Sequence, residues 1–532
     1  MTALAPYATR HARHGVVCAV DHLAAEAGVS VLRSGGSAAD AAVAASAVLA
    51  VTTQHMCGMG GDLFALVHDG TAVHCLNASG RAGSGADADR LRAEGHTVMP
   101  FRKDIRSVPV PGCVDGWVAL HGRFGRLPLA DVLEPARASA DGGFPASPLL
   151  AAAVPQLAGL AEAGDYLDGG PLREGDLVRR PAVARALAGI GADGRAAFYE
   201  GEFGEGLVRL GAGEYTAFDL ARPLADWVTP LRLDAWDRSL WTVPPNSQGY
   251  LTLAGAWIVA GLDLPDDPDD PAWAHLTIEA ARQAAYDRPD VLHEAADGIA
   301  LLAPDRLGPR RADIDPDKAA VLGDTYVGGG TIYLCAVDDQ RMGVSLIQSN
   351  AAGFGSLLAE PGTRIFLQNR GVGFSLEPGH PAEYGPGRRP PHTLSPALVT
   401  TTGAGPSLDM VIGTMGGDSQ PQVLLQLLAR LLHGGGTPPP VGDAVAAPRW
   451  RLASPGGSSG FDTWRDRGRV VVQVEGNAAA GWAEGLAARG HAVDVVAPFE
   501  HGFGHAHVIR VTDGALAGAS DPRALVGAAV GY

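Results

Sequence analysis

The residue of this sequence with the clearest chemical potential is Thr331, which opens an apolar, β-rich run directly after three glycines, 328–330. A threonine hydroxyl at this position could attack the carbonyl carbon of Gly330 and shift the acyl group from nitrogen to oxygen, and hydrolysis would then leave a new chain that begins at Thr331. The free α-amine of that chain would have a pKa of about 7.7 to 8.0, so near neutral pH it could accept the hydroxyl proton without help from a histidine. The alternative is structural, because a β-branched residue commonly begins a strand after a flexible linker.

The strand that follows the three glycines is predicted to form a β-hairpin. Residues 331–338 and 343–350 are both apolar, β-rich runs, and a polar turn, 339–342, separates them. If all four turn residues form the loop, Thr331 lies opposite Asn350 with Ser349 beside it, whereas a three-residue loop places Ser349 directly opposite. Either register brings two hydroxyl groups together at the ends of the strands.

A second glycine-rich segment could supply hydrogen-bond donors for the same reaction. Residues 413–421 read GTMGGDSQP, and apolar residues then recur with helical periodicity over 423–432. Pro421 suits the first turn of a helix, so the amides of Gly416 and Gly417 would lie near its positive end, where they could stabilise a tetrahedral oxyanion. The same segment is also compatible with a glycine turn that only leads into a helix.

Capping and periodicity predict the elements that must position these residues. Ser37 and Asp40 form a start of the capping-box type, and an alanine-rich helix is predicted to continue to about Val51. Residues 63–76, with a turn near the middle, predict another β-hairpin. The region from about 111 to 260 favours helices separated by loops rich in glycine, proline and aspartate.

The composition narrows the class of partner. The chain has 532 residues, a net charge of −17, 46% hydrophobic residues and five cysteines, so it can bury a large core, and neither a nucleic acid nor a membrane surface is expected as a partner. The cysteines are widely spaced, and the sequence contains no Cys-x-x-Cys or His-Glu-x-x-His motif, so we expect no disulfide framework, no metal and no other cofactor. The sequence shows no signal peptide or transmembrane segment, which favours a cytoplasmic location.

Ordered blocks along nearly the whole chain resemble the γ-glutamyltransferase family of amino-terminal-nucleophile hydrolases, with Thr331 at the position of the family's nucleophile. The blocks are residues 36–44 (GSAADAAVA), 55–61 (HMCGMGG), 110–117 (VPGCVDGW), 353–356 (GFGS), 368–370 (QNR), 392–396 (HTLSP), 416–417 (GG), 447–450 (APRW) and 504–506 (GHA). The resemblance implies an α+β fold, a four-layer αββα sandwich with a helical large-subunit portion. It also implies a precursor that cleaves itself.

Cleavage would occur between Gly330 and Thr331, according to the resemblance. It would divide the precursor into a large chain, residues 1–330, and a small chain, residues 331–532, which together form one αββα catalytic unit. The two chains of one precursor would therefore be each other's partners. Assembly of such heterodimers into a homo-oligomer stays open.

The resemblance also implies roles for individual side chains. Thr331 would be the nucleophile in both maturation and turnover, and Ser349 replaces a family threonine whose hydroxyl supports the nucleophile. Gly416 and Gly417 match the glycines of the oxyanion hole. Arg81 matches the arginine that binds the substrate carboxylate, a role suited to a planar, bidentate donor, although a surface arginine is the alternative.

Some positions depart from the glutathione-processing members of the family. Ile332 and Tyr333 stand where those members have threonine and histidine. Gly373 falls where they place an aspartate against the α-ammonium group of the substrate, and Ala351 stands where they have an asparagine. The contact to a substrate amine is therefore expected to be missing.

The other departures concern substrate-binding candidates. Arg370 replaces a glutamine, and His392 and Thr393 replace two serines. The loss of an acid and the gain of an arginine make the charge of the expected amine-binding pocket more positive. Such a pocket favours an anionic substrate group over an ammonium group. The sequence therefore resembles the amidohydrolase and acylase-like branch of the family more closely than the glutathione-processing branch, and Arg370 together with Arg81 would suit a small-molecule amide that carries a carboxylate.

Two classes of function follow. The first is an amidase in which Thr331 forms an acyl-enzyme that water or an amine resolves. Its substrate would be a γ-glutamyl compound, which would place it in glutathione metabolism, or an oxamate-type or dicarboxylic acyl amide with no γ-glutamyl activity. The second class is an uncleaved, catalytically silent homologue that serves as a binding or scaffold protein. The retention of Thr331, Ser349, Gly416, Gly417 and Arg81 favours the enzyme.

Overall fold

The computed structural model describes residues 9–322, 330–403, 405–434, 436–454, 470–512 and 514–532, and strands and helices occur throughout these ranges. Gly328 and Gly329 of the predicted linker lie outside the described residues. The strands are β1 (Arg10–Ala12), β2 (Val16–Ala19), β3 (Asp62–His68), β4 (Val73–Ala78), β5 (Phe144–Pro145), β6 (Leu177–Val178), β7 (Asp226–Val228), β8 (Leu231–Ala235), β9 (Arg238–Thr242), β10 (Ile332–Val337), β11 (Gly343–Ser349), β12 (Ala397–Thr401), β13 (Leu408–Gly413), β14 (Trp450–Ala453), β15 (Val471–Glu475), β16 (Val493–Val496), β17 (His507–Thr512), β18 (Ala515–Ser520) and β19 (Ala528–Gly531). The helices are α1 (His22–Arg33), α2 (Ala38–Thr52), α3 (Ala88–Ala93), α4 (Cys113–Phe124), α5 (Leu129–Gly142), α6 (Pro148–Ala153), α7 (Gly164–Leu167), α8 (Pro181–Asp193), α9 (Arg195–Tyr199), α10 (Glu202–Gly211), α11 (Ala217–Ala221), α12 (Tyr250–Ala260), α13 (Pro271–Ala285), α14 (Arg288–Val291), α15 (Gly298–Leu301), α16 (Pro304–Ala312), α17 (Gln420–Leu432), α18 (Val441–Ala446) and α19 (Ala480–Ala488).

Two seven-stranded sheets form the centre of the molecule. In the first, named sheet I, the strand order is β19-β2-β10-β11-β3-β4-β7, and in the second, sheet II, it is β1-β18-β17-β13-β12-β9-β8. Neighbouring strands within both sheets run antiparallel. Each sheet contains strands from both sides of residue 330.

The side chains of β10 show how the layers are assembled. Because successive side chains of a strand point to opposite faces, Ile332 and Leu334 join an apolar cluster with helices α1, α2 and α4. Tyr333 and Cys335 join a second cluster that includes Val411 of sheet II. A third cluster packs sheet II against α12, α13 and α17. The predicted four-layer αββα fold is confirmed.

The local structure predicted near the start of the chain is also confirmed. Asp40 N donates to Ser37 Oγ and Ser37 N donates to Asp40 Oδ2, so both hydrogen bonds of the capping box are present, and α2 continues to Thr52. Strands β3 and β4 form the predicted hairpin. Strands β7 to β9 interrupt the region predicted to be mainly helical, because short strands carry too few residues for a clear alternating pattern. In the described ranges, no helix combines the length and hydropathy required to cross a bilayer.

The hairpin β10–β11 adopts the register with a three-residue loop. Ile332 pairs with Gln348, and the Asp338 amide donates to the Met342 carbonyl. The alternative four-residue loop is therefore wrong. Arg341, at φ +63°, takes the left-handed conformation that follows the turn in three-residue loops.

Candidate active site

The hydroxyl groups of Thr331 and Ser349 lie together at the open end of the β10–β11 hairpin. Thr331 Oγ1 is 3.1 Å from Ser349 Oγ. The carbonyl oxygen of Gly330 is 2.7 Å from Thr331 Oγ1 and 2.9 Å from Ser349 Oγ. Both side chains are buried. The carbonyl group of the peptide bond that the sequence predicts to be cleaved therefore lies against two hydroxyl groups.

The hairpin register explains this arrangement. Ile332 pairs with Gln348, so the next position along the hairpin brings Thr331 beside Ser349. Both residues continue the face of sheet I that packs against sheet II, since Ile347 of β11 belongs to the cluster between the sheets. The pair therefore lies at the edge of the inter-sheet core, away from bulk water.

The hydrogen bonds of Ser349 orient its hydroxyl proton. Ser349 Oγ accepts hydrogen bonds from Ala351 N at 2.8 Å and from Arg370 Nη2 at 3.3 Å. A hydroxyl oxygen has two lone pairs and one proton, so these two donors leave the Ser349 proton for the Gly330 oxygen or for Thr331 Oγ1. A proton directed at the Gly330 oxygen would stabilise the negative charge that develops there during attack.

Arg370 is a buried cation beside the hydroxyl pair. Its side chain is 1% exposed, and its Nη1 donates to Thr393 Oγ1 at 3.1 Å. Burial lowers the pKa of Arg370 to about 10, while the negative charges of Asp62 and Asp418 act in the opposite direction. The group therefore stays positively charged at neutral pH. The structure places this residue, predicted as a substrate-binding group, in direct contact with Ser349.

His392 is paired with Asp62, the carboxylate that directly follows the sequence block 55–61. His392 Nε2 lies 3.0 Å from Asp62 Oδ2, and Leu394 N donates to His392 Nδ1, so Nε2 carries the ring proton. Burial, and secondarily the charge of Arg370, lowers the pKa of His392 to about 3, which keeps the imidazole neutral. Asp62 Oδ1 also accepts from Gln368 Nε2. His392 therefore helps to hold Asp62 in place.

The two glycines predicted to form the oxyanion hole adopt left-handed backbone conformations. Gly416 has φ +137° and Gly417 has φ +59°. A larger residue at Gly416 would be strained by φ +137°, and its Cβ, 2.4 Å from Ser419 Oγ, would displace the hydroxyl that donates to the Gly416 oxygen. The loop leads into the predicted helix α17, whose first turn contains Pro421. Their role as oxyanion donors stays a prediction.

Gln248 connects this glycine loop to the hydroxyl pair, although no sequence motif identified it. Its Nε2 lies 2.9 Å from both the Gly417 oxygen and the Thr393 oxygen. Arg288 Nη1 donates to Gln248 Oε1 at 2.9 Å and so fixes the orientation of the amide. Because Thr393 also contacts Arg370, hydrogen bonds run continuously from Gly417 to Ser349 and Thr331. The sequence alone does not identify Gln248 as a site residue, because its hydrogen-bond partners lie in distant segments that only the fold brings together.

Arg81 is held by carboxylates in this structure. Its Nη1 donates to Glu294 Oε1 at 2.6 Å and to the Gly387 oxygen at 2.9 Å, and its Nη2 lies 3.4 Å from Asp226 Oδ2. In the part of the chain that the structure describes, these contacts do not join its guanidinium group to the Thr331 hydroxyl. A substrate carboxylate would have to replace Glu294. The carboxylate-binding role of Arg81 stays a prediction.

Comparison with known proteins decides the family. A model of the family described as gamma-glutamyltranspeptidase matches residues 24–531. The chain belongs to the gamma-glutamyltranspeptidase family. An oxamate amidohydrolase proenzyme of Klebsiella pneumoniae subsp. pneumoniae is 35% identical, with 98% of each chain covered. The glutathione hydrolase-like YwrD proenzyme of Bacillus subtilis (strain 168) is 34% identical over 97% of this chain and 98% of its own length.

A similar solved structure agrees with that placement. A cephalosporin acylase from Bacillus halodurans matches with a TM-score of 0.89 and 31% identity, covering 100% of this chain and 98% of its own. The resemblance inferred from the sequence blocks is therefore confirmed, together with the amidohydrolase and acylase branch. This gamma-glutamyltranspeptidase family member is an enzyme of that branch.

Two departures from the glutathione-processing members acquire a physical meaning in this family member. A Cβ atom on Gly373 would lie 2.7 Å from the Pro391 carbonyl oxygen, so an aspartate could not stand here unless the backbone moved. Ala351 adopts φ +74°, a conformation that asparagine tolerates better than alanine. The backbone at Ala351 is thus left-handed, and the backbone at Gly373 leaves no space for a larger side chain.

Proposed function

We propose that this chain is a self-cleaving amidohydrolase whose nucleophile is Thr331 and whose substrate is an acyl amide that carries a carboxylate. The observation that supports it most directly is the position of the Gly330 carbonyl oxygen, 2.7 Å from one hydroxyl and 2.9 Å from the other. The names of the two similar relatives, both proenzymes, support cleavage of a precursor. Residues 1–330 would form the large chain and residues 331–532 the small chain.

Maturation would proceed by an acyl shift. Thr331 Oγ1 attacks the Gly330 carbonyl carbon, and the new oxyanion accepts a hydrogen bond from the Ser349 hydroxyl, which the Arg370 cation polarises. The C–N bond then breaks as the Thr331 nitrogen takes up the proton lost by its hydroxyl. The resulting ester is hydrolysed by water, which leaves a carboxylate on Gly330 and a free amine on Thr331.

Turnover would reuse the same hydroxyl with a new base. The α-amine of Thr331, neutral above its pKa of about 7.7 to 8.0, accepts the hydroxyl proton as Oγ1 attacks the substrate amide. The Gly416 and Gly417 amides stabilise the oxyanion, and the amine leaves with the proton. Water resolves the acyl-enzyme in hydrolysis, whereas an amine acceptor would resolve it in transfer.

The charge around the site favours an anionic acyl group without an α-amine. Arg370 contributes a buried positive charge next to Ser349, while the space beside Gly373 is occupied by the Pro391 carbonyl. The carboxylate of an oxamate-type or dicarboxylic acyl amide would pair with the Arg370 cation. Such a substrate has no ammonium group, so the site needs no carboxylate to bind one. The similarity to an oxamate amidohydrolase supports this choice over a γ-glutamyl donor.

The first experiment measures the intact mass of the purified wild type, Thr331→Ala and Thr331→Ser. We expect two fragments in the wild type, the smaller beginning at Thr331, one uncut chain in the alanine variant, and slower cleavage in the serine variant, which keeps a hydroxyl. Mature enzyme is then assayed for ammonia release from oxamate and for anilide release from a γ-glutamyl anilide. One uncut chain in all three proteins after long incubation would overturn the proposal and favour a silent binding homologue.

A further inference from the structure

A cluster of three potential metal ligands lies in the layer of helices that covers sheet II. Within this cluster, His275 and Glu279 lie one turn apart on α13, and His491 follows α19. One ligand atom of each residue lies within 4.8 Å of the others, and all three side chains are buried. His275 Nδ1 is 2.9 Å from His491 Nε2, and His491 Nε2 is 3.9 Å from Glu279 Oε1.

The hydrogen bonds around this cluster determine which atoms carry free lone pairs. His275 Nε2 lies 2.8 Å from the Asp315 carbonyl oxygen, so this nitrogen carries the proton and Nδ1 presents a lone pair toward His491. A histidine whose second nitrogen donates to a backbone carbonyl is the usual arrangement for a metal-bound imidazole. Glu279 Oε2 accepts from Ala320 N at 2.9 Å, which leaves Oε1 on the side of His491.

The separations suit a tetrahedral zinc ion. With zinc-to-ligand distances of about 2.0 to 2.1 Å, neighbouring ligand atoms lie about 3.3 Å apart. The observed 2.9 and 3.9 Å lie on either side of that value, and all three ligand atoms lie within 4.8 Å of one another, so the side chains would have to adjust around the ion. Two imidazoles and one carboxylate form a donor set that zinc uses in proteins, with water as a fourth ligand.

We propose that His275, Glu279 and His491 form a Zn²⁺ site. The ion would be bound by His275 Nδ1, Glu279 Oε1 and His491 Nε2, and the proton that His491 now shares with His275 would move to His491 Nδ1. His491 is 8% exposed, whereas His275 and Glu279 are fully buried. Sequence motifs pointed to no metal, because the two ligand-bearing segments are far apart in the chain.

The position of the site gives it a structural role. The Asp315 oxygen and the Ala320 amide, which orient two of the ligands, belong to the segment that leads to residue 322, the last one described before Gly330. His275 and Glu279 precede Gly330 and His491 follows it. If the chain is cleaved as proposed above, the ion would therefore join the large chain to the small chain and anchor the end of the large chain.

Arg282 is the nearest competing cation. Its Nη1 lies 3.1 Å from Glu279 Oε1 and 2.9 Å from the Ala320 oxygen. A carboxylate that binds a metal keeps hydrogen bonds to its surroundings, so Arg282 can remain bound to Glu279 when the ion is present. The positive charge nevertheless opposes the ion, and Arg282→Gln is expected to tighten Zn²⁺ binding.

The test is a Zn²⁺ titration of chelator-treated full-length protein by calorimetry, with metal content measured after gel filtration. We expect one ion per precursor equivalent in the wild type, and binding weaker by at least about tenfold in His491→Ala and Glu279→Gln. Zn²⁺ should raise the Tm of the wild type more than the Tm of these two ligand variants. Glu279→Gln keeps the shape of the side chain, so it still tests the site if His491→Ala does not fold.

The control is His501→Ala. His501 Nδ1 lies 2.9 Å from His505 Nε2, the same separation as in the proposed site, but among the described residues no third ligand completes that pair. This variant should bind Zn²⁺ like the wild type. Equal binding by wild type and His491→Ala, or no stoichiometric binding by wild type, would overturn the proposal. The titration is repeated on Thr331→Ala, which should bind Zn²⁺ whether or not the wild type is cleaved, so failure of the cleavage proposal remains distinguishable.

Discussion

At the scale of single residues, the candidate site depends on the partners of one serine. Ser349 Oγ accepts from Ala351 N and Arg370 Nη2 and faces the Gly330 oxygen. Two donors on the same oxygen leave its proton for Thr331 Oγ1 or for the Gly330 carbonyl oxygen, and it is the carbonyl oxygen that becomes negative during attack. Burial strengthens this interaction because water does not compete for the same groups.

Removing the Ser349 hydroxyl should slow maturation far more than it perturbs the fold. We expect Ser349→Ala to lower the cleavage rate by about 10² to 10³, the usual effect of losing one oxyanion donor. Ser349→Thr keeps a hydroxyl and should retain most of the rate. Cleavage is followed by intact mass over time in freshly purified precursor. Equal rates for the alanine and threonine variants would contradict this role of the hydroxyl.

Arg370 should set the pH dependence of turnover. Its pKa of about 10 keeps it charged through the neutral range, and a nearby positive charge disfavours the protonated form of the Thr331 α-amine. The rise of kcat/KM with pH should therefore have its midpoint below the ordinary amine pKa of about 7.7 to 8.0. Arg370→Gln should move that midpoint upward. An unchanged midpoint in cleaved Arg370→Gln would show that the cation does not act on the amine.

At the scale of elements, two tight connections bring the reacting groups together. The three-residue loop between β10 and β11 sets the register that pairs Thr331 with Ser349, and the loop before α17 carries Gly416 and Gly417. Both connections rely on left-handed backbone conformations. A change of one residue in the hairpin loop would shift every pair along the strands.

A substitution in the glycine loop should separate backbone strain from catalysis. Gly416→Ala places a Cβ 2.4 Å from Ser419 Oγ at φ +137°, whereas Gly70→Ala in the β3–β4 turn, at φ +99°, meets no atom within 4 Å. In both variants, the strained backbone conformation should lower the free energy of unfolding by about 1 to 3 kcal/mol. Only Gly416→Ala should also lower kcat, by about tenfold or more, because the oxyanion donors move. Unfolding by denaturant measures the loss of stability, and steady-state kinetics measure kcat. Equal kcat values in Gly416→Ala and Gly70→Ala would exclude the glycine loop from catalysis.

At the scale of the whole molecule, the proposed cleavage leaves two interleaved chains. Sheet I contains β2 and β3 from one side of residue 330 and β10 and β11 from the other, and sheet II is mixed in the same way. Antiparallel pairing joins β10 to β2 and β11 to β3. Neither chain could bury its strands alone.

The two chains should therefore stay together after cleavage. We expect cleaved wild type to elute as one species in gel filtration under native conditions and to separate only in denaturant, since each sheet would lose its paired neighbours. Uncleaved Thr331→Ala is the reference for the elution volume. Separation of the small chain in native buffer would contradict the interleaved arrangement.

Acid should destabilise the fold through buried imidazoles. Burial, as the main cause, lowers the pKa of His55 and His392 to about 3 and that of His507 to about 4, whereas an unfolded histidine has a pKa of about 6.5. Between these values the unfolded chain binds protons that the native chain does not, so stability falls as pH falls below about 6.5, by up to about 1.4 kcal/mol per pH unit for each histidine. Urea unfolding between pH 7.5 and 5 measures the slope. His507→Phe should reduce this slope, and a flat profile in the wild type would contradict the prediction.

The sequence by itself determined the features that depend on local patterns. Capping at Ser37, the strands beside Thr331 and the helix after Gly417 follow from side-chain type and spacing within a few residues, and the ordered blocks placed the chain in its family. The choice between two hairpin registers stayed open, because a turn of three or four residues satisfies the same apolar pattern.

Only the tertiary structure decided which distant groups meet. Gln248 lies outside the sequence blocks and Asp62 only follows one of them, yet their contacts link Gly417, Thr393 and His392 across long stretches of chain. The structure likewise paired Arg81 with Glu294 and brought His491 to α13. A buried polar group must find its hydrogen-bond partners wherever the packed elements bring them. That requirement acts through space, so the order of residues along the chain does not reveal it.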